Sequence, residues 1–242
     1  LAFTFCKKKD KTRNAPEPVY SGGGTSTTTG GAPTLPQSNG GDYCNLSTRY
    51  SYLDNGGNVS KDSSVTASLY SVPVSSVSPT YVFGGTVTLN GVDLQYSSSN
   101  NLYYGGVTPI NIAGTLTWSV SGSGTVTAFS QAYKPSYPKY TGASSLPDTC
   151  IKANGININI TGVTNNQSSV VLYLFGGSAS AYKYIIGSSG VISFTPAELA
   201  AFPVNQPLNI TIFMTNFFTA THGGVKRGFT NGLSYQKTSY LK

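Results

Sequence analysis

Leu208-Asn-Ile-Thr-Ile-Phe-Met214 is the stretch on which the fold turns. Leu208, Ile210, Ile212 and Met214 fall on one side of an extended chain, against Asn209 and Thr211 on the other. Period two in β-branched and apolar residues is the signature of a strand with one buried face. The pattern recurs upstream: Leu116, Trp118 and Val120 alternate with Thr115, Thr117 and Ser119, and Ile156, Ile158 and Ile160 with Asn157, Asn159 and Thr161. Val87 and Leu89 repeat it over a shorter span, and Trp118 falls in the core register. Val170-Val-Leu-Tyr-Leu-Phe175 is apolar on both faces and reads as a central strand.

Glycine-rich punctuation separates these runs. Asn55-Gly56, Asn90-Gly91, Gly105-Gly106, Asn154-Gly155, Gly176-Gly177, Gly223-Gly224 and Asn231-Gly232 all supply the positive φ that tight hairpins need. One short helix is expected near 196–202. There Thr195 and Glu198 form a capping box, Pro196 takes the first helical position and Pro203 ends the run. The expected class is all-β, an antiparallel sandwich.

Tyr133-Lys-Pro-Ser-Tyr-Pro-Lys-Tyr140 interrupts the pattern near its middle, and its prolines remove ladder donors. Residues 133–148 therefore read as a linker or loop between two immunoglobulin-like lobes, 42–132 and 149–242, with a single merged sandwich as the alternative. Residues 7–41 are rich in Gly, Ser, Thr and Pro and lack periodic apolar positions, so they read as a flexible tether. Ahead of it, Leu1-Ala-Phe-Thr-Phe-Cys6 is an apolar run closing on a cysteine, followed by Lys7-Lys-Lys-Asp-Lys11. That order matches the remnant of a lipoprotein signal with Cys6 as the acylated residue.

Charge and cysteine usage fit an extracytoplasmic place. Charged residues make up 10% of the chain, against roughly 25% in ordinary soluble domains. Of the net charge of +7, a surplus of three sits in residues 1–20, and the rest is scattered. A nucleic-acid partner, which needs a concentrated basic face, is not expected. With Cys6 acylated, Cys44 and Cys150 remain as a pair that an oxidising compartment would join; the alternative is two buried thiols.

Phe5-Cys6-Lys7-Lys8-Lys9-Asp10-Lys11 with its Gly/Ser/Thr/Pro tether resembles the N-terminus of Bacteroidota cell-envelope lipoproteins. Gly85-Thr-Val-Thr-Leu-Asn-Gly91 and Phe194-Thr-Pro-Ala-Glu-Leu199 are similar in style to that phylum's uncharacterised secreted β-sandwich proteins. The resemblance implies cleavage before Cys6, acylation there and an outer-membrane address, with cell surface and periplasmic face both open. Phe5 departs from the small residue that family places before its cysteine.

Catalysis is not expected. Beyond the tether the acids are Asp42, Asp54, Asp62, Asp93, Asp148 and Glu198, with no converging pair in the sequence. His222 lies in a polar loop without a nucleophile elbow. Asp54-Asn-Gly-Gly-Asn58 has the oxygens of a calcium loop but no closing Glu, so neither metal nor cofactor is expected. Binding remains as the function class. The candidate ligand residues are Tyr133, Tyr137 and Tyr140 with Lys134 and Lys139, since rings on loops stack on sugars or grip a partner surface. The alternative role is that these rings cap the open ends of a sandwich. Glycan or another envelope protein is the expected partner, beside the membrane at Cys6. A fimbria-like assembly by strand exchange is the alternative, with the C-terminal strand as the exchanged element.

Overall fold

The computed structural model describes residues 44–55, 58–71, 80–106, 109–138, 146–160, 169–186 and 190–242. Cys6 and the tether lie outside them. The described residues form an all-β, sandwich-like fold: β1 (Cys44–Asn55), β2 (Asn58–Leu69), β3 (Val87–Leu89), β4 (Val92–Ser97), β5 (Leu102–Gly105), β6 (Leu116–Val120), β7 (Phe129–Tyr133), β8 (Thr149–Cys150), β9 (Ile156–Ile160), β10 (Ser169–Gly176), β11 (Ala179–Ile186), β12 (Gly190–Phe194), β13 (Gln206–His222) and β14 (Val225–Leu241).

Twelve strands make one sheet, ordered β11-β10-β13-β14-β1-β2-β5-β4-β3-β6-β7, with β8 on the end of β14; β12 and β9 form a second, small sheet. The large sheet is mixed. β1 runs parallel to β14, in register from Asn45 beside Gly228 to Asp54 beside Lys237, and β8 is also parallel to β14. The remaining ladders are antiparallel, as the alternation implied.

β13 and β14 are each 17 residues long and form one hairpin closed by Gly223 (φ 58°) and Gly224 (φ 79°). At about 3.3 Å per residue the hairpin spans about 55 Å, enough to serve two cores. One apolar cluster holds Leu172, Leu174, Ile210, Ile212, Leu233 and Tyr235, roofed by Ile156, Ile158, Ile192 and Phe194 of the small sheet. The other holds Leu46, Leu69, Leu89, Tyr103, Trp118 and Phe229. Here the large sheet rolls back on itself: Phe129 lies under Arg227 (4.8 Å) and beside His222 (5.2 Å), and Tyr133 meets Phe229 edge-on at 5.6 Å. The far half of the hairpin therefore passes beyond the expected lobe boundary and completes the second cluster with Phe229.

Asn231-Gly232 is not a turn but mid-strand, and Gly228 shares that setting. A Cβ on Gly232 would meet Arg49 Nε at 3.0 Å, and one on Gly228 would meet the Cys44 carbonyl at 2.8 Å and the Phe217 ring at 3.0 Å. These glycines leave room for larger side chains lying across the strand.

The capping box forms: Thr195 N–H donates to Glu198 Oε2 (2.8 Å) and Glu198 N–H to Thr195 Oγ1 (3.3 Å). Leu199 N–H bonds Thr195 O, and the bonds then tighten to three-residue spacing at Ala200 and Phe202. Residues 196–201 are thus successive turns rather than a regular helix, burying Leu199 and Phe202 before Pro203 ends the donors.

The expected Cys44–Cys150 disulfide is corrected. Cys44 Sγ lies 4.0 Å from the Gly228 carbonyl, while Cys150 pairs with Leu241. Those partners are thirteen residues apart along β14, about 40 Å at strand spacing, whereas a disulfide needs Cα atoms within about 7 Å. The thiols belong to different apolar clusters. Phe229→Ala should lower stability by about 3–5 kcal/mol in urea unfolding, although it removes a C-terminal ring from an N-terminal core. A loss under about 1 kcal/mol would show that the hairpin does not complete that core.

Candidate functional site

The Tyr/Pro stretch is built into the sheet. Asn216, Asn231 and Thr48 are register neighbours on β13, β14 and β1, all buried, and they form a polar row across the inner face. The Tyr133 hydroxyl donates to Asn231 Oδ1 at 3.1 Å, and Asn216 Nδ2 donates to the Ser136 carbonyl at 2.7 Å. The Tyr137 hydroxyl proton is shared between Thr48 Oγ1 (2.8 Å) and the Ile112 carbonyl (3.0 Å). Ring contacts add to this: Tyr133 on Phe218 at 4.5 Å and Tyr137 on Tyr50 at 4.8 Å.

The far end of the stretch is fastened in the same way. Lys237 Nζ donates to the Leu146 carbonyl (3.0 Å), Ser239 Oγ to the Pro147 carbonyl (2.6 Å), and Tyr240 N–H to the Asp148 carbonyl (2.9 Å). Pro135 and Pro138 have no amide hydrogens to satisfy, which makes proline tolerable here. Among the expected ligand residues, then, Tyr133 and Tyr137 spend their hydroxyls and much of their rings on the interior. Lys134 is exposed beside them, and Lys139 and Tyr140 lie outside the described residues.

A different aromatic group faces solvent. Tyr81 and Phe83 are 44% and 49% exposed, two residues apart around Val82, which packs on the second core. The Phe83 ring contacts Tyr96 at 4.9 Å and Tyr103 at 6.2 Å, and Tyr81 contacts Tyr70 at 5.1 Å. The Tyr103 hydroxyl accepts from Gly84 N–H and donates to the Gly85 carbonyl, both at 2.9 Å, which holds the turn after Phe83. The available signal was Tyr81-Val-Phe-Gly-Gly85, paired rings against a double glycine, masked by its likeness to an ordinary strand end.

The chemistry-bearing groups are dispersed. Glu198 is held in its cap and by Lys183 at 2.9 Å. His222 bonds Gln131 through a ring nitrogen at 3.0 Å. Burial pushes the Cys150 thiol up to about 11, so it is protonated at neutral pH and a poor nucleophile. Among the described residues no three of His, Cys, Asp and Glu gather as a metal set, and no helix is long and apolar enough to cross a membrane. Asp54 and Asp148 do converge, both on Lys237. No protein-family model matches the chain, and no curated protein matches it.

Burial raises the Tyr133 phenol to about 12 and pushes Tyr137 up as well. Below pH 10 the folded and unfolded chains both hold these protons; above it the unfolded chain releases them first. Stability should therefore be steady up to about pH 10 and fall as pH climbs toward 12. A Tyr133→Phe/Tyr137→Phe variant should lose about 1–3 kcal/mol at neutral pH and show a shallower alkaline decline, read from denaturant midpoints. An identical decline would place both phenols in water.

Proposed function

We propose that this chain is a lipid-tethered protein of a Bacteroidota cell envelope, anchored through Cys6, that acts by binding a glycan or another envelope protein. The observation that carries the binding reading is the Tyr81–Phe83 group: two exposed rings braced from behind by Tyr96, Tyr103 and Tyr70. Braced rings lose little side-chain entropy on contact, and their apolar faces suit the C–H faces of sugars or the side chains of a partner. Tyr133 and Tyr137, with their hydroxyls turned inward, are the scaffold of this reading rather than its contact surface. The anchor and the envelope address rest on the resemblance at residues 5–11. The carboxylates support no hydrolytic pair, since Asp54 and Asp148 share a lysine and Glu198 caps a turn.

A second reading, assembly by strand exchange, is favoured by one feature. β1 and β14, the first and last described strands, are parallel neighbours, so a strand from another copy could take the place of either.

Retention on immobilised envelope polysaccharides and envelope proteins separates the two. Under the binding reading Tyr81→Ala/Phe83→Ala weakens retention about tenfold or more with an unchanged melting temperature. Unchanged retention by that variant contradicts it, and SDS-resistant ladders that grow with protein concentration transfer the case to assembly.

A further inference from the structure

Lys237 sits on the inner face of β14 with its side chain 8% exposed, directly beside Asp54 of β1, whose side chain is 7% exposed. Its Nζ is 3.5 Å from Asp54 Oδ2 and 2.7 Å from Asp148 Oδ1, and Asp148 is 87% exposed. The Tyr235 hydroxyl donates to Asp54 Oδ2 at 3.2 Å, and the Tyr52 ring stacks on Tyr235 at 6.4 Å. An ammonium and a carboxylate are thus held together at the rim of an apolar core, with a second carboxylate open to water.

We propose that Lys237 and Asp54 condense into an intramolecular amide that joins β14 to β1, the last and first of the described strands, with Asp148 as the proton carrier. Two physical arguments support this. Burying an ion pair is costly on both charges, and condensation abolishes both and expels one water. Parallel register also holds the two groups in place, and fixed intramolecular geometry can be equivalent to concentrations on the order of 10⁵–10⁸ M.

The step balances without any co-reactant. Asp148 takes one proton from the Lys237 ammonium and passes it to Asp54, so that a neutral amine faces a neutral carboxyl and Asp148 is again a carboxylate. The nitrogen lone pair attacks Asp54 Cγ while the Tyr235 hydroxyl polarises the carbonyl oxygen. The C–O bond to the protonated oxygen then breaks, and that oxygen leaves as water with a second proton from the nitrogen, carried by Asp148. The amide nitrogen keeps one hydrogen.

Mass spectrometry of the folded chain, produced without lipid processing so that its unlinked mass is that of its sequence, tests this. The folded protein should weigh one water less than its sequence, and trypsin should fail to cut after Lys237. Tyr50–Lys61 should then appear covalently joined to Gly228–Lys242. Lys237→Met and Asp54→Ala should each restore the full mass, and Asp148→Asn should leave a larger unlinked fraction. A wild-type protein at full sequence mass with normal cleavage at Lys237 overturns the proposal, as does a water loss that persists in Lys237→Met. The wild-type spectrum decides the matter even where a variant fails to fold.

Discussion

Asn216, Asn231 and Thr48 form a polar row across three neighbouring strands, and the rest of the structure is arranged around it. On β14 the row follows Phe229 of one apolar cluster and precedes Leu233 of the other. Buried amides and hydroxyls are costly unless bonded, and the bond within the row, Thr48 Oγ1 to Asn231 Oδ1 at 3.2 Å, leaves groups that need partners from elsewhere in the fold. The Tyr/Pro stretch supplies them: two phenols and a backbone carbonyl close the row. The interior is thereby divided into two cores by a wet-type chemistry kept dry by its own partners. Hydrogen bonds of this kind contribute modestly when made and cost more when one partner is lost. That asymmetry ties the path of residues 133–138 to the identity of three distant side chains.

The long hairpin gives this arrangement its reach. A strand of 17 residues can enter both cores, and β14 does so with Phe229 on one side of the row and Leu233, Tyr235 and Leu241 on the other. The same strand carries β1 as a parallel neighbour, so the N-terminal part of the described chain is fixed to the C-terminal part along ten register pairs from Asn45 to Asp54. Cys44 and Cys150 occupy opposite ends of this axis, and each acts there as a small buried apolar residue.

Much of this was legible in the residues, and the exceptions have physical causes. Leu208, Ile210, Ile212 and Met214 alternate because one face of β13 meets a core, and all four are buried. Trp118 likewise falls where its register placed it. The stretch Lys226-Arg-Gly-Phe-Thr-Asn-Gly232 does not read as a strand, because glycine and asparagine are poor strand formers. Its cost is offset across strands, by Phe217 over Gly228, Arg49 over Gly232 and the polar row at Asn231. Such compensation involves residues far apart in sequence and leaves no local pattern. The candidate ligand residues were hard to read for a related reason: a tyrosine on a proline-rich loop has the same spelling whether its hydroxyl faces water or a buried asparagine. Tyr137 faces Thr48, whereas Phe83 faces solvent, and only the fold distinguishes them.

The polar row is tested most directly by a double-mutant cycle between Tyr133→Phe and Asn231→Leu, with each stability taken from reversible urea unfolding. Removing either partner alone costs the other this bond, and Asn231 Oδ1 then keeps the Thr48 hydroxyl at 3.2 Å, so the two losses should not add. A coupling energy of about 1–2 kcal/mol is expected. Strict additivity, within about 0.3 kcal/mol, would mean that the phenol and the amide do not share a bond and that the row does not hold the stretch in place.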